Sequence, residues 1–171
     1  MATTTSNPLP LPIRLAQTLG ITTSLVLAGT SLSTSTTTIP RLLESPPALL
    51  LQQWRHMYAA GRATAPPVAA VAALSYFFLA YRARSGAGAG AGAGMYVAAG
   101  LLSVGIVPYT FAVMMRTNRR LLGRAAELGV EVEGEGEESA HQLVDRWGVL
   151  NLGRAAMLLA SGLLGVWGVV G

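Results

Sequence analysis

The sequence predicts an all-α membrane protein, a bundle of four transmembrane helices with a short interfacial amphipathic helix before the second. Hydrophobic residues make up 51% of the 171-residue chain and charged residues only 12%, and the mean hydropathy is positive. This composition is too apolar for an ordinary soluble domain. Stretches of about 20 residues, the length that a helix needs to cross a bilayer, recur at 13–32, 63–81, 95–115 and 150–170. Aromatic and charged residues collect at their ends, as they do at membrane surfaces.

The first stretch has an alternative interpretation as a secretory signal peptide, because its apolar core at 21–28 is followed by small residues. No positive charge precedes Arg14, and no clear cleavage site follows the core. We therefore expect a retained helix. Small residues recur at every fourth position, a spacing that lets membrane helices approach closely. They are Gly20, Ser24 and Ala28.

Three segments outside the spans have compositions that favour flexible chain. Residues 1–12 are polar and contain prolines, which predicts a disordered N-terminus. Residues 86–94 alternate glycine and alanine and predict a flexible linker. Residues 129–139 are rich in glutamate and glycine, so we expect a flexible acidic loop. Calcium binding is the sharper alternative for this loop, but its glutamates do not have EF-hand spacing.

The arginines predict the orientation of the chain. With alternating helices, the first and third loops carry eight arginines (41, 55, 62, 116, 119, 120, 124 and 146) against three on the opposite side (14, 82 and 84). The positive-inside rule then predicts an integral, multi-pass protein of an intracellular membrane with the first and third loops cytosolic. The basic residues form no continuous stripe, which argues against nucleic acid as a partner.

The run 48–61 has helical periodicity and predicts the interfacial helix. Leu50, Leu51, Trp54 and Tyr58 share one face, whereas Arg55 and His56 lie on the other. Two interpretations stay open. The aromatic residues belong to the membrane-surface belt while Arg55 and His56 face water, or the polar face covers a pocket between the helices.

The third and fourth spans each carry a polar stripe. Thr110, Met114 and Asn118 lie four residues apart and so share a face, one turn after Pro108. Thr110 can equally bond its own backbone, and Asn118 can cap the helix end. In the fourth span the stripe consists of Trp147, Asn151 and Arg154. An arginine inside an apolar helix costs up to roughly 3 kcal/mol unless it is paired or reaches the membrane surface.

Three segments carry a resemblance to a known family. They are IPRLLESPPALLLQQWRHMYAAGRATAPP (39–67), VPYTFAVMMRTN (107–118) and WGVLNLGRA (147–155). In this order, the Trp-x-x-x-Tyr-x-x-Gly, Pro-Tyr-Thr and Trp-x-x-x-Asn-x-x-Arg runs resemble the fungal anthrone oxygenase-like membrane proteins, and the similarity extends over all four spans. The resemblance identifies positions and does not by itself assign their duties.

The resemblance implies oxidation of a small aromatic polyketide anthrone to an anthraquinone, with dioxygen as co-substrate and no cofactor. The substrate's own enolate supplies the electrons, so the protein needs a base, a group that stabilises the enolate oxygen, and a dry pocket. His56 is the expected general base because imidazole titrates near neutral pH. Arg154 or Arg55 would supply positive charge, Asn118 and Asn151 would donate hydrogen bonds, and Trp54 or Trp147 would stack on the rings. Tyr58, Thr110 and Met114 complete the expected substrate-binding set.

A metal centre is not expected, because the chain has no cysteine and only two histidines, His56 and His141. The expected partners are the lipid bilayer, the polyketide substrate and, as a further candidate, another enzyme of the same polyketide pathway. The alternative to an enzyme is a non-catalytic membrane scaffold or assembly protein. A small-molecule carrier is a weaker alternative, since the spans show no inverted repeat.

Overall fold

The chain folds as a bundle of four long helices in a computed structural model that describes residues 9–85, 92–126 and 138–170. The helices are α1 (Leu11–Leu42), α2 (Pro47–Ser85), α3 (Gly92–Ala126) and α4 (Ala140–Val170). Each is long and apolar enough to cross a membrane. The described ranges contain no strand, and the predicted all-α, four-helix architecture is confirmed.

The helices extend beyond the predicted spans. The run 48–61 is helical as predicted, but it is the beginning of α2 and not a separate interfacial helix. Its apolar face packs into the bundle, so the other helices bury this face and a membrane surface is not needed to cover it. Helix α1 begins at Leu11, inside the predicted disordered stretch, and α3 begins at Gly92, inside the predicted linker. Residues 1–8, 86–91 and 129–137 of the three predicted flexible segments lie outside the described residues.

The four helices pack as a square. Helices α1 and α3 each contact α2 and α4, so α1 lies diagonally across from α3. Successive helices run in opposite directions, and the α1–α2 and α3–α4 connections therefore meet at one end. We call this end the arginine-rich end, formed by residues 34–57, 114–126 and 138–148. The rings of Trp54 and Trp147 meet edge to face there at 6.0 Å, so these two tryptophans lie at the same end of the bundle.

Small and hydroxylated side chains pack the other half of the bundle. The predicted small-residue stripe of α1 is buried along its whole length. Within it, the Ser24 hydroxyl lies 3.0 Å from the Tyr76 hydroxyl of α2. The Ser161 hydroxyl of α4 donates to the Ala99 carbonyl of α3 at 2.8 Å. The first of these bonds joins α1 to α2, so α1 packs as one helix of the bundle.

The arginine-rich end has a core of large side chains, as soluble helical bundles do. All four helices contribute buried residues to it, including Ile39, Leu50, Trp54, Leu121 and Val144. Helix α3 ends in a segment that is apolar on one face and carries Arg116, Arg119, Arg120 and Arg124. Glu138 accepts hydrogen bonds from Arg120 and Arg146 at 2.7 and 3.2 Å. Close packing of these side chains holds the helices in fixed positions at the arginine-rich end.

Candidate functional site

A cavity of about 340 Å³ lies between the four helices, next to the arginine-rich end. Its wall is formed by residues 26–34 of α1, 57–68 of α2, 106–111 of α3 and 147–154 of α4. The volume is at the lower end of the range for small-molecule sites. The wall is largely apolar, with Val68, Ile106 and Phe111 among its members. A largely apolar wall interrupted by polar side chains is typical of a small-molecule site.

Three of the four helices depart from regular α-helix at the level of the cavity. Helix α1 widens into a π-helical turn at Thr34–Thr38, and α3 does so at Thr110–Met114, after Pro108. Helix α2 contains Pro66 and Pro67, which have no N–H, so the carbonyls four residues earlier lose their usual donors. Irregular backbone is tolerated at membrane depth where it lines a cavity. Widened turns are frequently found at functional sites.

Arg154 is the buried cation of the cavity wall. Its Nε is buried without a hydrogen-bond partner, and within the described ranges it forms no ion pair. Tyr58 and Tyr109 are close enough to interact with it electrostatically. The Tyr109 hydroxyl itself donates to the Leu150 carbonyl at 2.9 Å, one turn before Arg154. A charge held here without a counter-ion is available to a ligand with a negatively charged oxygen.

Asn151 also lines the cavity, but its amide hydrogens are already used. Its Nδ2 donates to the Ser31 carbonyl and to the Ser35 hydroxyl, both at 3.0 Å. These bonds tie α4 to α1 at the widened turn of α1. The expected donation from Asn151 to a substrate oxygen therefore has no free N–H in this geometry, and we assign Asn151 a positioning role.

Asn118 and Met114 lie behind the cavity wall. Trp147 lines the cavity and donates from Nε1 to Oδ1 of Asn118 at 2.9 Å. Asn118 is fully buried and its Nδ2 has no partner within the described ranges. Met114 is 1% exposed and packs in the core. The predicted α3 stripe is thus divided, since Thr110 lines the cavity and bonds the Ile106 carbonyl of its own helix at 2.7 Å.

Tyr58 lines the cavity, and Trp54 supports it from behind. Their rings stack at 5.0 Å with an angle of 11° between the planes. Trp54 is completely buried and does not line the cavity. Of the two tryptophans expected to stack on a ligand, Trp147 lines the cavity and Trp54 does not, and the Trp54 ring contacts those of Tyr58 and Trp147.

Arg55 and His56 are not brought to the cavity. Both are exposed, on the side of α2 that faces away from the core, and neither belongs to the cavity wall. His56 therefore has no access to a ligand held there. His141, the second histidine, is half-buried in the first turn of α4, with Nε2 3.1 Å from the Ser45 carbonyl oxygen. The described residues hold no group of three or more His, Asp or Glu side chains suited to a metal ion.

Arg62, which we counted among the loop arginines from the sequence, belongs to the cavity wall. It follows Tyr58 by four residues, and residues at this spacing share a face of a helix. That spacing was the signal that could have identified it. Ser31 and Ser35 gave no comparable signal, because the Ser/Thr-rich run that contains them has no distinguishing pattern.

The chain is similar to proteins of known type over most of its length. The sequence model of a family described as anthrone oxygenase matches residues 54–164. An anthrone oxygenase of Paecilomyces divaricatus is 32% identical over 157 residues, which cover 90% of this chain and 94% of that protein. An anthrone oxygenase of Claviceps purpurea is 32% identical over 84% of this chain and 82% of its own length. A noranthrone monooxygenase of Aspergillus flavus is 30% identical over 88% of this chain and 71% of its own length. No solved structure matches the chain.

Proposed function

Because this chain belongs to the anthrone oxygenase family, we propose that it is an integral membrane enzyme that oxidises a polyketide anthrone to the anthraquinone with dioxygen. The reaction needs no metal or flavin in this proposal. The observation that carries it is the combination of Arg154, unpaired within the described residues, with an apolar cavity bounded by aromatic rings. This is the environment that an electron-rich enolate requires.

The overall reaction balances with dioxygen alone. The anthrone methylene loses both hydrogens, one oxygen atom of dioxygen becomes the new quinone carbonyl, and the other leaves as water. Removal of the first proton gives an enolate, which transfers one electron to dioxygen. The carbon radical and superoxide combine to a peroxide anion, which takes up the first proton to give a hydroperoxide. Loss of the second proton with cleavage of the O–O bond then forms the carbonyl and releases hydroxide, which takes up a proton.

Arg154 would stabilise the negative charge that develops on the enolate oxygen. A preorganised cation or donor in a water-poor site lowers the barrier of such a step, and removal of one donor typically costs about 100- to 1000-fold in rate. The absence of a carboxylate from the described cavity wall supports this role, because the charge of Arg154 is not already neutralised. The same charge would bind the later peroxide anion.

Tyr58 is the candidate for the proton-accepting group. The ionisable side chains of the described cavity wall are those of Tyr58, Arg62 and Arg154, and of these only the tyrosine, once deprotonated, could act as a base. Stacking on Trp54 holds its ring, and Arg154 belongs to the same cavity wall. His56, the base expected from titration range alone, is exposed and outside the cavity wall.

The proposal includes the bilayer and its sidedness. Anthrones are apolar and flat, and the cavity is enclosed by helices long and apolar enough to span a membrane. The excess of arginine at the end with the α1–α2 and α3–α4 connections supports a cytosolic position for that end. A pathway enzyme that supplies the anthrone would then work on the same side of the membrane.

Microsomes from cells that express the chain provide the test. They should oxidise an anthrone faster than microsomes without the chain, in proportion to its amount, and the rate should survive a metal chelator. Microsomes in which the chain accumulates without exceeding the spontaneous rate would favour the membrane scaffold. Loss of the rate on chelation, with recovery on addition of iron or copper, would disprove the cofactor-free reaction.

A further inference from the structure

Arg62 stands opposite Arg154 across the cavity, and we infer that it binds a carboxylate substituent of the substrate. The preferred substrate would then be an anthrone that carries a ring carboxylate. This inference rests on the proposed function for the identity of the ring system. Its binding test below does not depend on turnover.

The two arginines lie at the same depth in the bundle. Trp54 of α2 contacts Trp147 of α4, so these two residues lie at about the same depth in the bundle. From there both helices run away from the arginine-rich end. Arg62 follows Trp54 by eight residues, about 12 Å, and Arg154 follows Trp147 by seven, about 10.5 Å. Both arginines belong to the cavity wall, and their helices α2 and α4 are diagonal partners in the square.

The two positions differ in a way that assigns them different duties. Arg154 is partly buried with an unpartnered buried Nε, whereas Arg62 is exposed at the rim. Within the described ranges Arg62 forms no ion pair, and no acidic side chain belongs to the cavity wall. Gly61, the neighbouring residue in the cavity wall, has no side chain that could block a ligand from reaching Arg62. The rim therefore offers a free guanidinium, the group best suited to bidentate recognition of a carboxylate.

A flat tricycle fits between these two cations in one orientation. Its keto oxygen would lie at the inner cation, where enolate charge develops, and its carboxylate would remain at the exposed rim. The carboxylate then keeps part of its hydration, which lowers the cost of binding it. The alternative role for Arg62 is to reach toward lipid headgroups without contacting the substrate.

The experiment compares paired ligands and matched variants. Binding of anthraquinone and of anthraquinone-2-carboxylate to the purified full chain is measured by quenching of tryptophan fluorescence. Turnover of an anthrone with and without a ring carboxylate is measured in parallel. The variants are Arg62→Gln, Arg62→Lys and, as control, Arg55→Gln. Arg55 is exposed two turns earlier on the same helix and lies outside the cavity wall.

We expect the wild-type chain to prefer the carboxylated ligand. A charge-assisted hydrogen bond contributes about 1.5 to 3 kcal/mol, so Arg62→Gln should reduce this preference roughly 10- to 100-fold. Arg62→Lys should restore part of it, and Arg55→Gln should retain it. The change in turnover should appear mainly in KM.

The other results are equally decisive. Equal binding of both ligands by the wild-type chain, or an equal loss for both in Arg62→Gln, would overturn the inference and leave Arg62 as a lipid anchor. A binding preference that depends on Arg62, together with no turnover of either anthrone, would support the carboxylate site and disprove the proposed oxidation.

Discussion

Arg154 carries a charge inside an apolar helix, and the proposed function gives this charge a role in the reaction. A charged residue in the middle of a spanning helix costs about 2.5 to 3.5 kcal/mol, and the Nε of Arg154 has no hydrogen bond within the described chain that would offset this cost. Such a charge gains its full interaction only when a negative oxygen forms beside it. In the proposed reaction the site would then stabilise the enolate more than the neutral substrate, which is the condition for a lower barrier.

Replacement of Arg154 should affect the reaction and not the fold. Arg154→Gln removes the charge while it keeps a polar side chain, so we expect kcat to fall about 100- to 1000-fold, with Arg154→Lys in between. The matched control is Arg146→Gln, two turns earlier on α4, where an exposed ion pair with Glu138 contributes little. Initial rates at equal membrane content measure both. Unchanged kcat in Arg154→Gln would remove the electrostatic role.

The sequence predicted the stripe of Trp147, Asn151 and Arg154 because their spacing alone places them on one face of one helix. It could not predict which N–H groups remain free, since the partners of Asn151 are on α1 and the partner of Trp147 is on α3. Titration range selected His56 as the base. The helical periodicity of 48–61 nevertheless placed His56 on the face opposite Trp54 and Tyr58, and the exposure of His56 agrees with the interpretation that this face is turned to water.

His56→Ala tests the two candidate bases against each other. Since His56 is exposed and outside the cavity wall, this account expects turnover close to that of the unmodified chain and no change in its pH profile. Tyr58→Phe keeps the ring that stacks on Trp54 and removes the oxygen, so it should lower turnover strongly. The reverse order of the two effects would return the base to His56.

Loss of one partner of the hydrogen bond between Trp147 and Asn118 should lower the free energy of unfolding more than loss of both partners. Trp147→Phe leaves the buried amide of Asn118 without any partner, which should lower the free energy of unfolding by about 1 to 3 kcal/mol. Asn118→Leu combined with Trp147→Phe removes both polar groups and should recover part of that loss. Thermal unfolding in detergent, run as a double-mutant cycle, measures the difference. Strictly additive losses would contradict the coupling.

Composition predicted that the chain has four apolar helices. It did not predict that these helices continue beyond their apolar stretches. Length and hydropathy are local properties, and they define four spans correctly. The continuation of α2 from the arginine-rich end through Pro66 and Pro67 depends on packing of its first half against the core around Leu50 and Trp54. The widened turn at Thr34–Thr38 likewise depends on a donor from another helix, since Asn151 bonds its Ser35.

Close packing of α4 against α2 gives a prediction for Gly165. A Cβ at this position would lie 2.6 Å from Cε1 of Tyr76, which is fully buried and hydrogen-bonded to Ser24. Gly165→Ala should therefore cost about 1 to 3 kcal/mol of stability through overpacking. Gly29→Ala is the control, because its Cβ would have no heavy atom within 4 Å. Equal melting temperatures for the two variants would show that Tyr76 can move to accommodate the added methyl group, which would contradict the prediction.

At the scale of the whole molecule, the two halves of the bundle have different duties. Small residues and hydroxyls hold the helices together in one half, while large side chains form a core at the arginine-rich end. The cavity lies where the two kinds of packing meet and where three helices are irregular. The sequence predicted that Trp54 and Trp147 share one end, because alternation of helices fixes sides. The cavity itself required the three-dimensional arrangement of all four helices.

We propose that this cavity oxidises anthrones with dioxygen alone, and the stoichiometry of dioxygen uptake by the purified chain is the decisive test. Purified chain in detergent, freed of metal by a chelator, is mixed with an anthrone, and dioxygen uptake and anthraquinone formation are followed together. We predict a saturable rate proportional to protein, one dioxygen consumed for each anthraquinone formed, and a strong loss in Arg154→Gln. A rate equal to spontaneous oxidation, or one that Arg154→Gln leaves unchanged, would contradict the account.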